Sequence, residues 1–341
     1  MGGMYKSIIR IYKLNIPNIF YWSPKLTVPR IISCHLRWLA IIIPFKWAKS
    51  GLYKMAFFFE KICYRQVKRH LKKALSIELS EISRNYQERQ VENKTVWYSW
   101  WQGMDNAPEV VKNCIQQMQK QFPPGTKFIN IDQTNFKEYV SLRPEILDLF
   151  LSEKMTNAQF SDQIRINLLA MHGGIWVDAT LWINQQVTSD IFDYPFLSYR
   201  AKKSLPIASD HGVSQGDWQL YFLGGTNTYF YEALKVLNDA YWQRYTKVIH
   251  YLQLDKLIDL TFDCLPELAQ EMDKLPIYSQ DPGDFLSGGY KYKLSDKATT
   301  TIMTEVENDF GLIKLSWKFE PPKKNGELLT IYGSLLKMKR Y

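Results

Sequence analysis

The stretch from Asn157 to Thr180 constrains this chain more than any other. Phe160, Ile164, Leu168 and Met171 recur at helical spacing and read as the inward stripe of a helix near Asn157 to His172. Asp162 and Arg165 fall on the opposite side, at the (i, i+3) spacing of an ion pair. Gly173 can supply the left-handed residue that ends such a helix. Ile175-Trp176-Val177 then reads as a short buried strand that delivers Asp178 to the sheet edge. Acidic and cationic groups thereby meet at the carboxyl edge of a sheet, where open α/β folds bind ligands. Taken alone, the Asp–Arg pair is an exposed salt bridge of little energy. The order helix, Gly-Gly, strand, Asp gives the segment its weight.

The flanking sequence supplies the rest of an α/β layer. Thr95-Val96-Trp97-Tyr98-Ser99-Trp100-Trp101 is β-branched and aromatic and predicts a buried strand, ended by Gln102-Gly103. Pro108 starts a helix with Glu109 in its first turn, and Val111, Cys114, Ile115 and Met118 form its apolar face. Pro123-Pro124-Gly125 is a turn, Lys127 to Ile131 the next strand, and Pro144 opens a helix with Ile146, Leu147, Phe150 and Leu151 inward. This alternation predicts βα units over a largely parallel sheet. Tyr194–Tyr199 and Gln219–Leu223 read as further strands; Phe230–Gln243, Asp255–Leu260 and Leu265–Leu275 read as helices. Between the strands, the polar run Ala208 to Gly212 is a candidate lid, with His211 a plain loop histidine.

The charge is unevenly spread. The net of +9 conceals 15 Lys/Arg against one acid, Glu60, in residues 1–75, whereas the remainder is net −5. An amino-terminal part this basic suits an anionic surface. Tyr5, Tyr12, Phe20, Tyr21, Trp22, Trp38 and Trp47 interleave with the bases, as at a lipid headgroup layer. The run Trp38 to Phe45 is too short to span ~30 Å of hydrocarbon, so it is expected to lie in the interface. Between Gly51 and Gly103 there is neither Gly nor Pro, and Val67, Leu71, Leu75, Leu79, Ile82 and Tyr86 form one stripe of a long amphipathic helix. The division expected is a membrane-associating region over 1–93 and a main domain over 94–341. Cys34, Cys63, Cys114 and Cys264 show no CxxC spacing and read as reduced thiols in a cytosolic compartment.

Transfer from a nucleotide-diphosphate sugar needs positive charge at the departing diphosphate, polar groups on the sugar and a platform for the base. Asp178 can serve a metal or the ribose, Asp162 and Arg165 the sugar, and Trp101 or its neighbours the base. Residues 95 to about 320 resemble the capsular polysaccharide synthesis branch of glycosyltransferase family 32, related to Och1-type mannosyltransferases and α-1,4-galactosyltransferases. The resemblance rests on Trp97 to Gly103 with Ala107-Pro108, Ser161 to Arg165, Gly173 to Thr180, and Lys314-Leu315-Ser316-Trp317-Lys318. It implies a GT-A fold, Rossmann-like with a mainly parallel sheet, and a retaining transfer from a UDP- or GDP-sugar. It also implies Asp162, Arg165 and Asp178 as catalytic residues, and Trp101, Ser161, Gly174, Ser316 and Trp317 as further contacts to the nucleotide sugar. Thr180 stands where relatives place the second Asp of a metal motif, and Asp309-Phe310-Gly311 where many carry Asp-His. A divalent metal, Mn2+ or Mg2+, is expected at Asp178, held in part by diphosphate and water.

These readings lead to a glycosyltransferase attached peripherally to the inner face of the plasma membrane, acting on a lipid-diphosphate-linked oligosaccharide. The other class weighed is a non-enzymatic, basic membrane- or nucleic-acid-binding protein. The basic segment lacks a nucleic-acid motif and the remainder is acidic, so no nucleic acid is expected as a partner.

Overall fold

The computed structural model describes residues 21–201, 214, 217–250, 253–275, 277–278, 312–317, 322–330, 332–333 and 336. The expected lid with His211 and the segment Asp309-Phe310-Gly311 lie outside them. The chain divides into two compact units and passes between them more than once, one boundary falling within the helix Thr228–Arg244.

One unit is helical. It contains α1 (Pro24–Ile42), α2 (Lys46–Ala74), α3 (Ser76–Arg84) and the helix Gln253–Cys264. Helix α1 stops at Ile43 because a residue before proline is pushed out of the helical region, and Ile43 is extended (φ −70, ψ 126). Helices α1 and α2 then pack on each other. The single long helix expected from the sequence is broken at Leu75 (φ −112), yet Val67, Leu71, Leu75, Leu79 and Ile82 all remain buried. A short break that keeps the apolar stripe inward costs little, because burial rather than propensity holds such helices. Lys68 ties α2 to Asp259 at 3.1 Å and to Asp263 at 3.0 Å. Buried Glu60 meets Arg30 and His250, each at 3.4 Å. Burial alone would raise the Glu60 carboxyl; hydrogen bonding from His250 and the charge of Arg30 outweigh it and hold it at about 2.

The other unit is α/β. In chain order it contains β1 (Thr95–Ser99), α4 (Glu109–Gln121), β2 (Lys127–Ile131), α5 (Phe136–Tyr139), α6 (Pro144–Leu151), α7 (Asn157–His172), β3 (Gly174–Val177), β4 (Leu181–Ile183), β5 (Leu197–Ser198), β6 (Arg200–Ala201), β7 (Phe222–Gly225), the helix Pro266–Asp273, β8 (Ile277–Tyr278), β9 (Leu312–Lys314), β10 (Lys324–Asn325) and β11 (Leu328–Leu329). A five-stranded sheet has the order β2-β1-β3-β7-β5. Strand β1 pairs in parallel with β2 and β3, whereas β7 is antiparallel to both its neighbours. The sheet is therefore mixed, which corrects the expectation of a largely parallel one. Strand–helix alternation, the source of that expectation, ends at β3. Among the described residues of 178–221 the only helical turn is Ser189–Phe192, too short for a parallel crossover.

Strand β3 is buried along its whole length, and its sheet neighbour β1 passes very close. A Cβ on Gly174 (φ +82) would sit 2.5 Å from the Thr95 carbonyl oxygen and 3.0 Å from Trp97 Nε1. The Trp97 indole donates to the Gly173 carbonyl at 2.9 Å, so the Gly-Gly pair is clamped against β1. Gly173 itself ends α7 with φ 65. Replacing Gly174 with Ala combines a backbone clash with a disfavoured φ. It should cost about 2–4 kcal/mol of stability, read as a lower urea midpoint at unchanged m-value.

Candidate functional site

Helix α7 starts on a capping box: the Thr156 amide donates to Gln159 Oε1 at 2.7 Å and the Gln159 amide to Thr156 Oγ1 at 3.4 Å. From Gln163 to Ala170 every residue of α7 is buried. Arg165 is among them, 5% exposed. The face opposite Phe160 and Ile164 is therefore covered at Arg165, and the Asp162–Arg165 pair is not the exposed salt bridge that the spacing alone would allow.

Arg165 is used on several sides. Its Nη1 donates to the Leu220 carbonyl at 2.6 Å and lies 3.5 Å from Asp162 Oδ1. Its Nη2 donates to Asp178 Oδ1 at 3.1 Å, and its guanidinium sits 5.0 Å over the Trp176 ring. Its Nε is buried with no hydrogen-bond partner among the described residues.

Asp178 follows β3 at the strand's carboxyl end. Its amide donates to the Tyr221 carbonyl, and its own carbonyl accepts from Leu181, each at 2.9 Å. That turn leads into β4, whose antiparallel pairing sets Leu181 opposite Lys314 of β9. Lys314 Nζ thereby reaches Asp178 Oδ2 at 2.5 Å, 5.5 Å over the Tyr221 ring. Asp178 Oδ1 also accepts from Trp176 Nε1 at 2.8 Å. Both oxygens are thus engaged.

The two carboxylates are pushed apart in proton affinity. Burial raises Asp162 to about 6, with the charge of Asp178 adding to the shift and Arg165 opposing it. Burial acts on Asp178 in the same sense, but Lys314 and then Arg165 outweigh it and hold it at about 2. The two differ because Lys314 and Arg165 together outweigh burial at Asp178, whereas Arg165 does not outweigh it at Asp162.

The remaining sequence candidates separate into near and structural ones. Ser161 is half-buried, next to Asp162 on α7. Trp317 is 52% exposed and stands edge-on to Trp100, ring centroids 5.7 Å apart, just after β9 and Ser316. Trp101 is packed by Phe136, Phe150 and Phe160 at 5.0–5.5 Å. Gly174 has the packing reason given above. Thr180 is buried, and its carbonyl accepts from Leu315 at 2.9 Å.

Sequence reasoning assigned no role to Lys314, Trp176 or Tyr221, and reached Trp100 only as a neighbour of Trp101. The signal for Lys314 was its place directly before Leu315-Ser316-Trp317. Among the described residues no group of three or more His, Cys, Asp or Glu is placed to hold a metal ion. Since Asp178 is already paired to two cations, the described residues do not by themselves fit a divalent ion.

The protein is a mixed α/β protein with a charged cluster at the carboxyl end of its central strand, the sheet edge at which open α/β folds bind ligands. The chain belongs to the capsular polysaccharide synthesis protein family, whose sequence profile matches residues 54–335. The match begins upstream of the residues that carried the resemblance, within α2. No curated protein and no solved structure matches the chain. Family membership points to a role in capsule synthesis.

The electrostatics can be tested by pH. Asp178→Asn removes the counter-charge of a buried arginine and should cost about 3 kcal/mol at neutral pH. A carboxyl held at about 2 contributes stability that is present above its unfolded value near 4 and lost as pH falls toward 2, so the gap from wild type should close in acid. Asp162 has the opposite sign: its contribution falls as pH rises from about 4 through 6, because ionisation is resisted. The stability of Asp162→Asn relative to wild type should therefore climb over that interval. Chemical denaturation at several pH values measures both.

Proposed function

We propose that this protein is a glycosyltransferase of capsule assembly that moves a sugar, with a UDP-hexose favoured, from a nucleotide-diphosphate donor to a lipid-diphosphate-linked oligosaccharide. The observation that carries the reading is the cluster at the end of β3: Arg165 and Lys314 on Asp178, with Asp162 against Arg165. When the glycosidic bond to the donor breaks, charge develops on the departing diphosphate, and preplaced cations lower that barrier. An ammonium has three N–H donors. Lys314 uses one on Asp178, and in this reading the others meet phosphate oxygens.

Arg165 acts as a positioning residue, because its terminal nitrogens are committed to Leu220, Asp178 and Asp162. Asp162 offers its carboxyl to a sugar hydroxyl, and the Trp100–Trp317 pair is the platform for the base. The three parallel strands followed by reversed β7 suit the GT-A arrangement that the resemblance to glycosyltransferase family 32 implies. Retention at the anomeric carbon is carried over from that resemblance. The work is set at the inner face of the plasma membrane, where a nucleotide donor and a lipid-linked acceptor meet. A divalent ion, Mn2+ or Mg2+, would be held by the donor's diphosphate, since both oxygens of Asp178 are committed to Lys314, Arg165 and Trp176.

The test is hydrolysis of a UDP- and GDP-sugar panel without acceptor, beside thermal shift with each nucleotide. One donor should be hydrolysed slowly and raise Tm. Lys314→Met should lower that hydrolysis by about 100-fold. A panel with no stabilising nucleotide, or a Lys314→Met protein of wild-type rate, overturns the reading. Manganese should raise Tm in the presence of UDP and leave it unchanged in its absence; a shift by manganese alone would place a complete metal site in the protein.

A further inference from the structure

The turn between α1 and α2 exposes apolar side chains that a protein in water ordinarily covers. Leu39 is 40% exposed, Ile42 49%, Phe45 62% and Trp47 80%, and along α2 Met55 and Phe58 are 51% and 60% exposed. Trp47 and Phe45 lie side by side, ring centroids 6.5 Å apart. The cause is local. Pro44 forces the chain out of α1, and α2 begins again at Lys46 with Trp47 in its first turn. The opposite faces of the same helices are spent on the core, through Ala40, Ala56, Cys63, Tyr64 and Val67, so the exposed set is a second, separate apolar face.

Its surroundings decide what covers it. Residues 21–59 contain no Asp or Glu but six Lys/Arg, including Lys49 and Lys54 on the turn-proximal half of α2. The first acid in the chain, Glu60, is buried and paired with Arg30 and His250. An apolar turn flanked along the chain by bases, with no carboxylate from residue 21 to 59, complements an anionic lipid surface. A protein partner would have to be both acidic and apolar to match it. No helix of the described residues is long and apolar enough to cross a membrane.

We infer that the α1–α2 turn is a membrane-docking element. Phe45, Trp47 and Ile42 enter the headgroup–acyl boundary, and Lys49 and Lys54 contact anionic headgroups. This does not depend on the transferase reading. The helical unit holds the surface by itself, and the catalytic proposal concerns the α/β unit.

Flotation of the full-length protein with phosphatidylcholine vesicles, with and without phosphatidylglycerol, tests it. The wild-type chain should bind the anionic vesicles only, and less as salt screens the headgroups. Phe45→Ser/Trp47→Ser should lower binding about tenfold or more, with unchanged Tm and unchanged donor hydrolysis, because both side chains are exposed. Lys49→Glu/Lys54→Glu should lower it and flatten the salt dependence. Equal binding to neutral vesicles, wild-type binding by the Phe45/Trp47 variant, or no vesicle binding at all would overturn the inference. So would a concentration-dependent dimer in sedimentation that the same variant abolishes, since the face would then be covered by a second copy. Loss of hydrolysis in the Lys314 test leaves these outcomes untouched, which keeps the two proposals separately refutable.

Discussion

The carboxylate of Asp178 is the anion on which the α/β unit converges. Through it, α7 is joined by Arg165, β3 by Trp176, and β9 by Lys314, while its backbone amide is tied to Tyr221 ahead of β7. A helix buried almost all round can carry an arginine only if the charge is met, since desolvating an unpaired guanidinium costs far more than folding supplies. Asp178 meets it. The same carboxylate holds Lys314 at the carboxyl end of β3. Structural necessity and candidate chemistry thus coincide in one side chain, and its replacement is expected to disturb fold and activity together.

What places Asp178 is an unusually close passage of backbones. Gly174 lies against Thr95 and Trp97, and across the sheet a Cβ on Gly224 would come within 2.6 Å of the Gly174 carbonyl oxygen. Side chains at these points would push β3 away from β1 and β7. With glycine at each, the strand is pinned on both sides and its end presents Asp178 at one defined place. Rigid backing of this kind is what a site needs to keep charged groups within hydrogen-bonding range before a ligand arrives.

The helical unit divides its work by helix face. Inward, Glu60 with Arg30 and His250 and the Val67–Leu71–Leu75 stripe hold the helices together. Outward, at the turn forced by Pro44, the same helices leave Phe45 and Trp47 among bases. The uneven charge of the chain is therefore not spread at random: it accompanies an apolar edge.

Much of this was legible in the residues alone, where the signal is local. The bounds of α7, the break at Gly173, the helix opened by Pro144 and the strand Lys127–Ile131 all follow from caps, prolines, glycines and the periods 3.6 and 2, which act over a few residues. The grouping of Asp162, Arg165 and Asp178 came from the same short range. Tertiary structure alone decided the rest. Periodicity assigned Arg165 to the face opposite Phe160 but could not tell whether that face meets water or a second layer; it meets Asp178 and Trp176. The reversal of β7 depends on which connection lacks a crossover helix, and the partnership of Lys314 with Asp178 on the β4–β9 register across 136 residues of chain. Such pairings are chosen by the packing of whole strands, and no window of sequence contains both members.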